Sequence, residues 1–327
     1  MSAVGPGVAR PSGPDPVAGA LGSRQGFSPE RTRGGGTTEA WRTFATAIRL
    51  GWSMEANWTD PALFMIYSVA KPVSAALILV AMLEVVGGAS TREYRSYVVT
   101  GSALWAFVTS GIAGLAWSIL DDRERYRMVK YVYVSSSNFL LFLVGRAVAR
   151  ALVGAVGAVI TLAFGVVLLG VRFDPMAVDW LALAAVSAIG IVVVVSIGVL
   201  MAAIVLQTRQ EAWSYSEALA GALFLVSGAI FPLAVLPAAL QVVGLLTPLA
   251  WWVEGTRQAL FADPVSGIGG PGSAWETITG SLVPDPPTIL LVLLVTGGVG
   301  TLIATFVFRV SERRAKDRGL IDRTTGS

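Results

Sequence analysis

Apolar residues fall in six long blocks that are separated by short polar or charged segments. The blocks cover residues 61–87, 97–120, 146–170, 179–206, 216–236 and 287–309. A helix needs about 20 consecutive apolar residues to cross the hydrocarbon core of a bilayer, and every block reaches that length. The pattern therefore predicts an all-α polytopic membrane protein with six transmembrane helices.

The sequence outside the blocks divides into three parts. Residues 1–36 are rich in Gly, Pro, Ser and Arg, a composition that cannot bury enough apolar surface to offset ordering, so they are expected to form a disordered tail. Residues 37–58 alternate Trp and aliphatic residues with Arg at helical spacing, which predicts an amphipathic helix in the membrane interface. Residues 59–318 then form the six-span domain, and residues 319–327 form a C-terminal tail.

The basic residues predict the orientation of the chain in the membrane. Of the 24 Lys and Arg residues, nineteen flank one predicted side, four flank the other, and Lys71 lies within the first block. Because basic residues accumulate on the cytoplasmic side, both termini are expected in the cytoplasm. This agrees with an even number of spans.

Composition excludes several classes of function. The chain is 54% hydrophobic, with a mean hydropathy of +0.68, and it contains no Cys and no His. It therefore lacks the ligands of a usual zinc site, a thiol nucleophile and a Ser-His-Asp triad. Its lysines precede Pro, Tyr and Asp, whereas an ATP-binding P-loop needs Lys before Ser or Thr. We therefore expect no cofactor, no metal and no nucleic acid on this chain. The abundance of Ala, Gly, Val and Arg suggests a high-GC bacterium.

The fifth block is interrupted, and the interruption is the most informative motif. Its residues, in chain order, are Ser227, Gly228, Phe231, Pro232, Pro237, Pro248, Trp251, Trp252, Glu254 and Arg257. In hydrocarbon, irregular backbone is tolerated only where it is buried in protein or lines an aqueous cavity. The chain is therefore expected to break here and to continue as re-entrant or gate helices between spans five and six. Glu254 and Arg257 are expected to form an ion pair on a gate helix.

A charged run between the second and third blocks is the second motif. Its charged half contains Asp122, Arg123, Glu124 and Arg125, and its apolar half contains Met128 and Val129. Such a segment could enter a groove of a partner protein with its apolar side and hydrogen-bond the rim with its charges. The alternative is an ordinary solvated loop.

Two features within the spans leave their roles open. Lys71 lies about ten residues into the first block, where a charge is costly. It either snorkels to the surface or faces an aqueous pathway. Trp105, Phe107 and Trp117 in the second block either line such a pathway or pack against other helices. The Trp pair at 251 and 252 also suits an aromatic belt at the membrane surface.

The two motifs, in this order and orientation, resemble the membrane permease subunit of type-2 ATP-binding-cassette exporters. The interrupted block resembles the family's fifth span and gate helices, and the charged run resembles its coupling helix. The run departs from the family at Tyr126-Arg127-Met128-Val129, where Gly-Thr-Leu-Glu is usual, and at Ser135, where Pro is usual.

The resemblance implies a multi-pass efflux permease of the plasma membrane that catalyses no covalent step. It implies an ATP-binding-cassette nucleotide-binding subunit that holds the ATP and Mg²⁺, and a homodimer or a heterodimer with a second permease. The implied substrate is an amphipathic drug or lipid, with a lipid-linked polysaccharide as the alternative. The alternatives are an ion-coupled secondary transporter, which needs more charge within its spans, and a membrane enzyme acting on lipids, for which the chain shows no convincing catalytic cluster.

The predicted topology can be tested with reporter fusions. Fusions at the N-terminal tail, near Arg125 and at the C-terminus should report the cytoplasm, and a fusion near Ser266 should report the outside, because of the asymmetry in basic residues. An external signal at residue 125 would contradict the whole assignment of spans.

Overall fold

The computed structural model describes residues 36–56, 61–87, 94–125, 131, 133, 138–208 and 212–319. The α-helices in these ranges are α1 (Gly36–Ala56), α2 (Pro61–Gly87), α3 (Tyr94–Leu120), α4 (Phe139–Leu168), α5 (Trp180–Gln207), α6 (Ala212–Val226), α7 (Ala238–Leu246), α8 (Pro248–Leu260), α9 (Ala274–Thr279) and α10 (Pro286–Asp317). A π-helical turn, Asp121–Arg125, continues α3, and a 3₁₀ turn, Leu233–Val235, precedes α7. No strand occurs in the described ranges, so the all-α prediction is confirmed.

Four helical segments are long and apolar enough to cross a membrane, among the residues that the structure describes. They are Tyr94–Arg123, Phe139–Leu168, Trp180–Gln207 and Pro286–Asp317. They correspond to the predicted second, third, fourth and sixth spans. Their length follows from uninterrupted runs of helix-forming apolar residues, whose backbone groups are all satisfied within the helix.

The predicted first and fifth spans differ from these four. Helix α2 has 27 residues, of which the apolar stretch Val73–Gly87 belongs to the fully described part. Helix α6 has only 15 residues, fewer than the roughly 20 that a straight crossing needs. The prediction extended the fifth span to residue 236, but the helix ends at Val226. The count of six spans is therefore not established by the structure.

Helix α3 lies at the centre of the bundle and packs against α2, α4, α5 and α6. Its core-facing side chains Val108, Ile112 and Leu115 are fully buried. Glycines bring α3 and α5 close together, because a Cβ added at Gly198 would lie 2.9 Å from the carbonyl oxygen of Gly111. Small residues at helix crossings are a common packing device in membrane proteins.

Helix α1 packs on the first turns of α4. Ala47 is fully buried, and a Cβ added at Gly145 would lie 2.7 Å from the Cβ of Ala47. On the other side of α1, Trp41 and Trp52 are 67% and 44% exposed. The predicted helix is thus present with one covered and one open side, and its location in the membrane interface remains a prediction. The tails at 1–35 and 320–327 lie outside the described residues.

Candidate functional site

The break after α6 leaves two backbone carbonyls without helical partners. In a continuous helix the carbonyl of residue 228 would accept from the N–H of residue 232, and that of residue 229 from residue 233. Pro232 has no N–H. The N–H of Leu233 donates instead to the carbonyl of Gly267, at 2.7 Å. Gly228 itself has φ +65°, a left-handed conformation that glycine adopts without steric strain.

Arg257 of α8 supplies the missing donors. Its Nη1 donates to the carbonyl of Gly228 at 2.8 Å, and its Nη2 donates to the carbonyl of Ala229 at 2.6 Å and to that of Tyr97 at 3.2 Å. The side chain is 1% exposed. A planar guanidinium can reach several acceptors at once because its donors form a rigid fork. The break is therefore held by a charged side chain from inside the protein.

Tyr97, near the start of α3, completes this arrangement. Its ring centroid lies 3.5 Å from the guanidinium carbon of Arg257, a cation–π geometry. Its hydroxyl donates to the carbonyl of Gly228 at 2.5 Å. We call Tyr97, Gly228, Ala229 and Arg257 the arginine cluster. It joins α3, the break and α8.

Glu254 has partners of its own and does not pair with Arg257. Its Oε1 accepts from the Ser266 hydroxyl at 2.7 Å and from Gln258 Nε2 at 3.2 Å, and its Oε2 accepts from the N–H of Gly267 at 2.7 Å. In the part of the chain that the structure describes, no ion pair joins Glu254 to Arg257. The expected pair is thus replaced by two separate anchors, one for the break and one for the loop after α8.

Glycines allow the backbone to approach the arginine cluster. A Cβ added at Gly101 of α3 would clash with the backbone of Ala229 and would lie 2.7 Å from Nη2 of Arg257. A Cβ added at Gly267 would lie 2.7 Å from Nη1 of the same side chain. Tyr97 and both glycines are not predictable from the sequence, because nothing in their local sequence indicates that they meet a residue far along the chain.

The other predicted gate residues shape the ends of the short helices. The Ser227 hydroxyl donates to the carbonyl of Phe224 at 3.1 Å, and Phe231 is partly buried just before the 3₁₀ turn. Pro237 precedes α7, and Pro248 is the first residue of α8, a position that tolerates the missing N–H.

The Trp pair lies inside the protein. Trp251 and Trp252 are 2% and 3% exposed, so they do not form an aromatic belt facing lipid. Trp251 Nε1 donates to the carbonyl of Leu245 at 2.7 Å, which ties α8 to α7. The ring of Trp252 packs against Phe107 with centroids 5.3 Å apart.

At the other end of α3, the first half of the charged run is anchored in the bundle. Arg146 Nη1 donates to both carboxylate oxygens of Asp122, at 2.8 and 3.0 Å, and the two side chains are 3% and 5% exposed. Arg123 Nη1 donates to the carbonyls of Thr208 at 3.1 Å and Val205 at 3.4 Å. These contacts tie the π-helical turn to α4 and to the end of α5.

The second half of the charged run is described only in part. The structure does not describe the side chains of Glu124, Arg125 and Lys71. Met128 and Val129 lie entirely outside the described part of the chain. At the end of the run, the ring of Tyr133 meets that of Phe139 edge to face, with the ring centroids 5.2 Å apart. Burial, and then the neighbouring Glu312 carboxylate, raise the pKa of the Tyr133 phenol.

A cavity of about 630 Å³ lies between α2, α3, α4 and α6. Its described lining includes Trp105, Trp117 and Phe224 together with the charged residues Arg150 and Glu217. The rings of Trp105 and Phe224 are 4.6 Å apart. Two of the three aromatic residues singled out in the second span thus face this cavity, whereas Phe107 does not. The sequence pattern alone does not predict that Arg150 and Glu217 meet at this cavity.

No group of three or more potential metal ligands occurs in the described part of the chain. The family model described as ABC-2 type transporter matches residues 48–261. The match covers the charged run, the cavity and the arginine cluster. Among curated proteins, no sequence matches this chain.

Replacing Arg257 by Met should destabilise the protein by about 2 kcal/mol, because the buried Ala229 carbonyl loses its donor, at a cost of about 1–3 kcal/mol, and the Gly228 carbonyl keeps only the Tyr97 hydroxyl. The measurement is thermal unfolding of the purified protein in detergent, followed by Trp fluorescence. The exposed Arg318 gives the matched control, since Arg318→Met should change stability by less than about 0.5 kcal/mol. Equal midpoints for the two variants would show that the arginine cluster does not hold the break.

Proposed function

Because the family model matches more than half of it, this chain belongs to the ABC-2 type transporter family, and we propose that it is the permease subunit of an ATP-driven exporter of amphipathic substrates. Two permease copies, identical or related, would enclose the pathway and would bind two ATP-binding-cassette subunits. Those partners would hold the ATP and Mg²⁺.

The observation that carries this proposal is the anchoring of the charged run. The Asp122–Arg146 pair and the bonds from Arg123 to the carbonyls of Val205 and Thr208 connect the run to α4 and α5. A partner that moves the segment around Glu124 would therefore move three helices together. This is what a subunit that closes on ATP requires in order to rock a helix bundle.

The cavity supports an amphipathic substrate. Its volume, about 630 Å³, lies within the range of roughly 300–1,000 Å³ that is typical of small-molecule sites. Its aromatic rings suit a flat or apolar group, and Arg150 and Glu217 offer opposite charges to a polar end. A lipid-linked polysaccharide would present a long polar chain to a surface that is largely apolar, and it remains the alternative substrate.

The arginine cluster supports the proposal of a gate at one end of the pathway. This is the end that the distribution of basic residues predicts to be external. The cluster holds the break after α6 against α3 and α8 through buried hydrogen bonds. The short helices α7 and α8 pack beside it and would close the exit in this conformation.

The role of the break can be tested with Pro232→Ala. The new N–H at residue 232 can donate to the Gly228 carbonyl in a continued helix, so it competes with Arg257 for that acceptor. We expect lower transport at unchanged membrane insertion. The measurement is substrate efflux from vesicles that contain the permease and its ATP-binding partner.

Pro286→Ala is the matched control for the break, because Pro286 begins α10, where its missing N–H leaves no helical bond unmade. This variant should transport like the wild type. Wild-type efflux by Pro232→Ala would exclude the break from the mechanism.

The coupling role can be tested with Glu124→Arg. If Glu124 makes a buried contact with the ATP-binding subunit, a reversed charge should weaken assembly or uncouple ATP hydrolysis, because unpaired buried charges cost several kcal/mol. Copurification of the subunit and transport-linked ATPase activity are the two measurements.

The exposed residue Arg318 supplies the comparison for coupling. Arg318→Glu should have little effect on either measurement, because an exposed charge contributes about 1 kcal/mol or less. Equal effects at the two positions, or none at either, would reduce the charged run to a solvated loop.

A further inference from the structure

The cavity between α2, α3, α4 and α6 is charged at one end and aromatic at the other. Arg150 and Glu217 line it towards the π-helical turn, because α4 and α6 both begin at that end of the bundle. Trp105, Phe224 and Ile230 line it towards the break after α6, and Ile230 directly follows the arginine cluster in the chain. An amphipathic ligand in this cavity would therefore place its polar group beside the charges and its apolar group against the aromatic rings.

The hydroxyl groups that α3 contributes to the cavity wall present acceptors. Ser102, Thr109 and Ser110 line the cavity, and their hydroxyls donate to backbone carbonyls at 3.0, 3.0 and 3.1 Å. Because a hydroxyl has one hydrogen to donate, these three oxygens offer only lone pairs to a ligand. Such a wall suits a ligand that brings donors or a positive charge, and it disfavours an anion.

Ser216 of α6 adds a buried polar group to the same cavity. It lines the cavity, is 1% exposed and stands next to Glu217 in the chain. Its hydroxyl oxygen forms no hydrogen bond in the part of the chain that the structure describes. Since the large majority of buried polar side chains are hydrogen-bonded, this oxygen points to a polar ligand group at the charged end of the cavity.

The two charged residues of the cavity differ in what surrounds them. The side chain of Arg150 lies across Gly114 of α3, where an added Cβ would be 2.9 Å from its Cδ, and its guanidinium interacts electrostatically with the Asp122 carboxylate. Glu217 is exposed at the cavity, and within the described ranges it takes part in no hydrogen bond or ion pair. The charge that the cavity leaves open to a ligand is therefore negative.

We propose that this cavity selects amphipathic cations, with the cationic group at Glu217 and Ser216 and the apolar part against Trp105 and Phe224. A carboxylate forms charge-assisted hydrogen bonds with an ammonium group, and the faces of aromatic rings also attract cations. The proposal rests on the proposed function, because it names the substrate class of the cavity assigned there. Equilibrium binding to the permease alone needs no ATP-binding partner, so the two can fail separately.

The test measures equilibrium binding to the purified full-length protein in neutral detergent, with no ATP-binding subunit present. Tetraphenylphosphonium and tetraphenylborate, two probes of similar size and opposite charge, are titrated separately by equilibrium dialysis, with protein-free micelles as the blank. The wild type should bind the cation saturably and about tenfold or more tightly than the anion. Equal affinity for the two probes, or tighter binding of the anion, would overturn the proposal.

The role of the carboxylate is tested with Glu217→Gln, which should weaken binding of tetraphenylphosphonium by about tenfold. Glu217→Asp keeps the charge and should retain most of the affinity. Asp317→Asn removes an exposed carboxylate at the end of α10 and should bind like the wild type. Unchanged cation binding by Glu217→Gln would refute the assignment of Glu217.

The position of the bound cation is tested with two Trp substitutions on α6. Ala220→Trp fills the cavity from its wall and should abolish saturable binding, whereas Leu225→Trp adds the same ring at a position that is 41% exposed and should leave binding unchanged. Equal binding by the two variants would put the cation outside the cavity and contradict the proposal. Copurification of the ATP-binding subunit with the wild type separates the two levels: intact assembly without cation selectivity would refute this proposal alone.

Discussion

The hydrogen bonds from the Arg257 guanidinium to the carbonyls of Gly228 and Ala229 are the contacts on which the irregular half of this protein depends. A helix that stops within a membrane leaves polar groups that hydrocarbon cannot solvate. Here the stop is made by a left-handed glycine and by a proline without an N–H. The resulting acceptors are satisfied by a buried cation and by the Tyr97 hydroxyl. Without those donors, the turn before α7 and α8 would lose the buried hydrogen bonds that join them to each other and to α3.

The long helices were predictable because their signal is local. Uninterrupted apolar runs fixed the second, third, fourth and sixth predicted spans to within a few residues at most ends, although the third begins at Phe139 and the sixth extends to Asp317. The interruption after Val226 was predictable from Gly and Pro, whose backbone restrictions are intrinsic. Family membership followed from the order of these motifs and is confirmed by the matched family model.

The partners of the charged residues were not predictable in the same way. Glu254 and Arg257 stand three residues apart on one helix, a spacing that favours an ion pair, yet each binds backbone groups from distant segments. A carbonyl acceptor has no sequence signature, since every residue carries one. The Asp122–Arg146 pair likewise joins two helices whose relative register depends on packing. Charge placed in an apolar chain therefore predicts that a polar contact exists, without predicting which one.

The missing N–H of Pro232 limits how the segment between α6 and α8 can move. If α6 continued straight through residue 232, the Gly228 carbonyl would still lack the N–H that a helix normally supplies, because Pro232 has none. A continuous helix therefore cannot replace the hydrogen bonds that the Gly228 carbonyl now accepts. A rearrangement that keeps Arg257 in place avoids this penalty if α3, the turn, α8 and the loop held by Glu254 shift as one body, because Tyr97 of α3 is part of the cluster. Motion of that kind needs no local unfolding, and rigid-body movements of this type fall in the microsecond to millisecond range. Breaking the cluster would instead leave the carbonyls of Gly228 and Ala229 and the Arg257 guanidinium without these partners in an apolar interior.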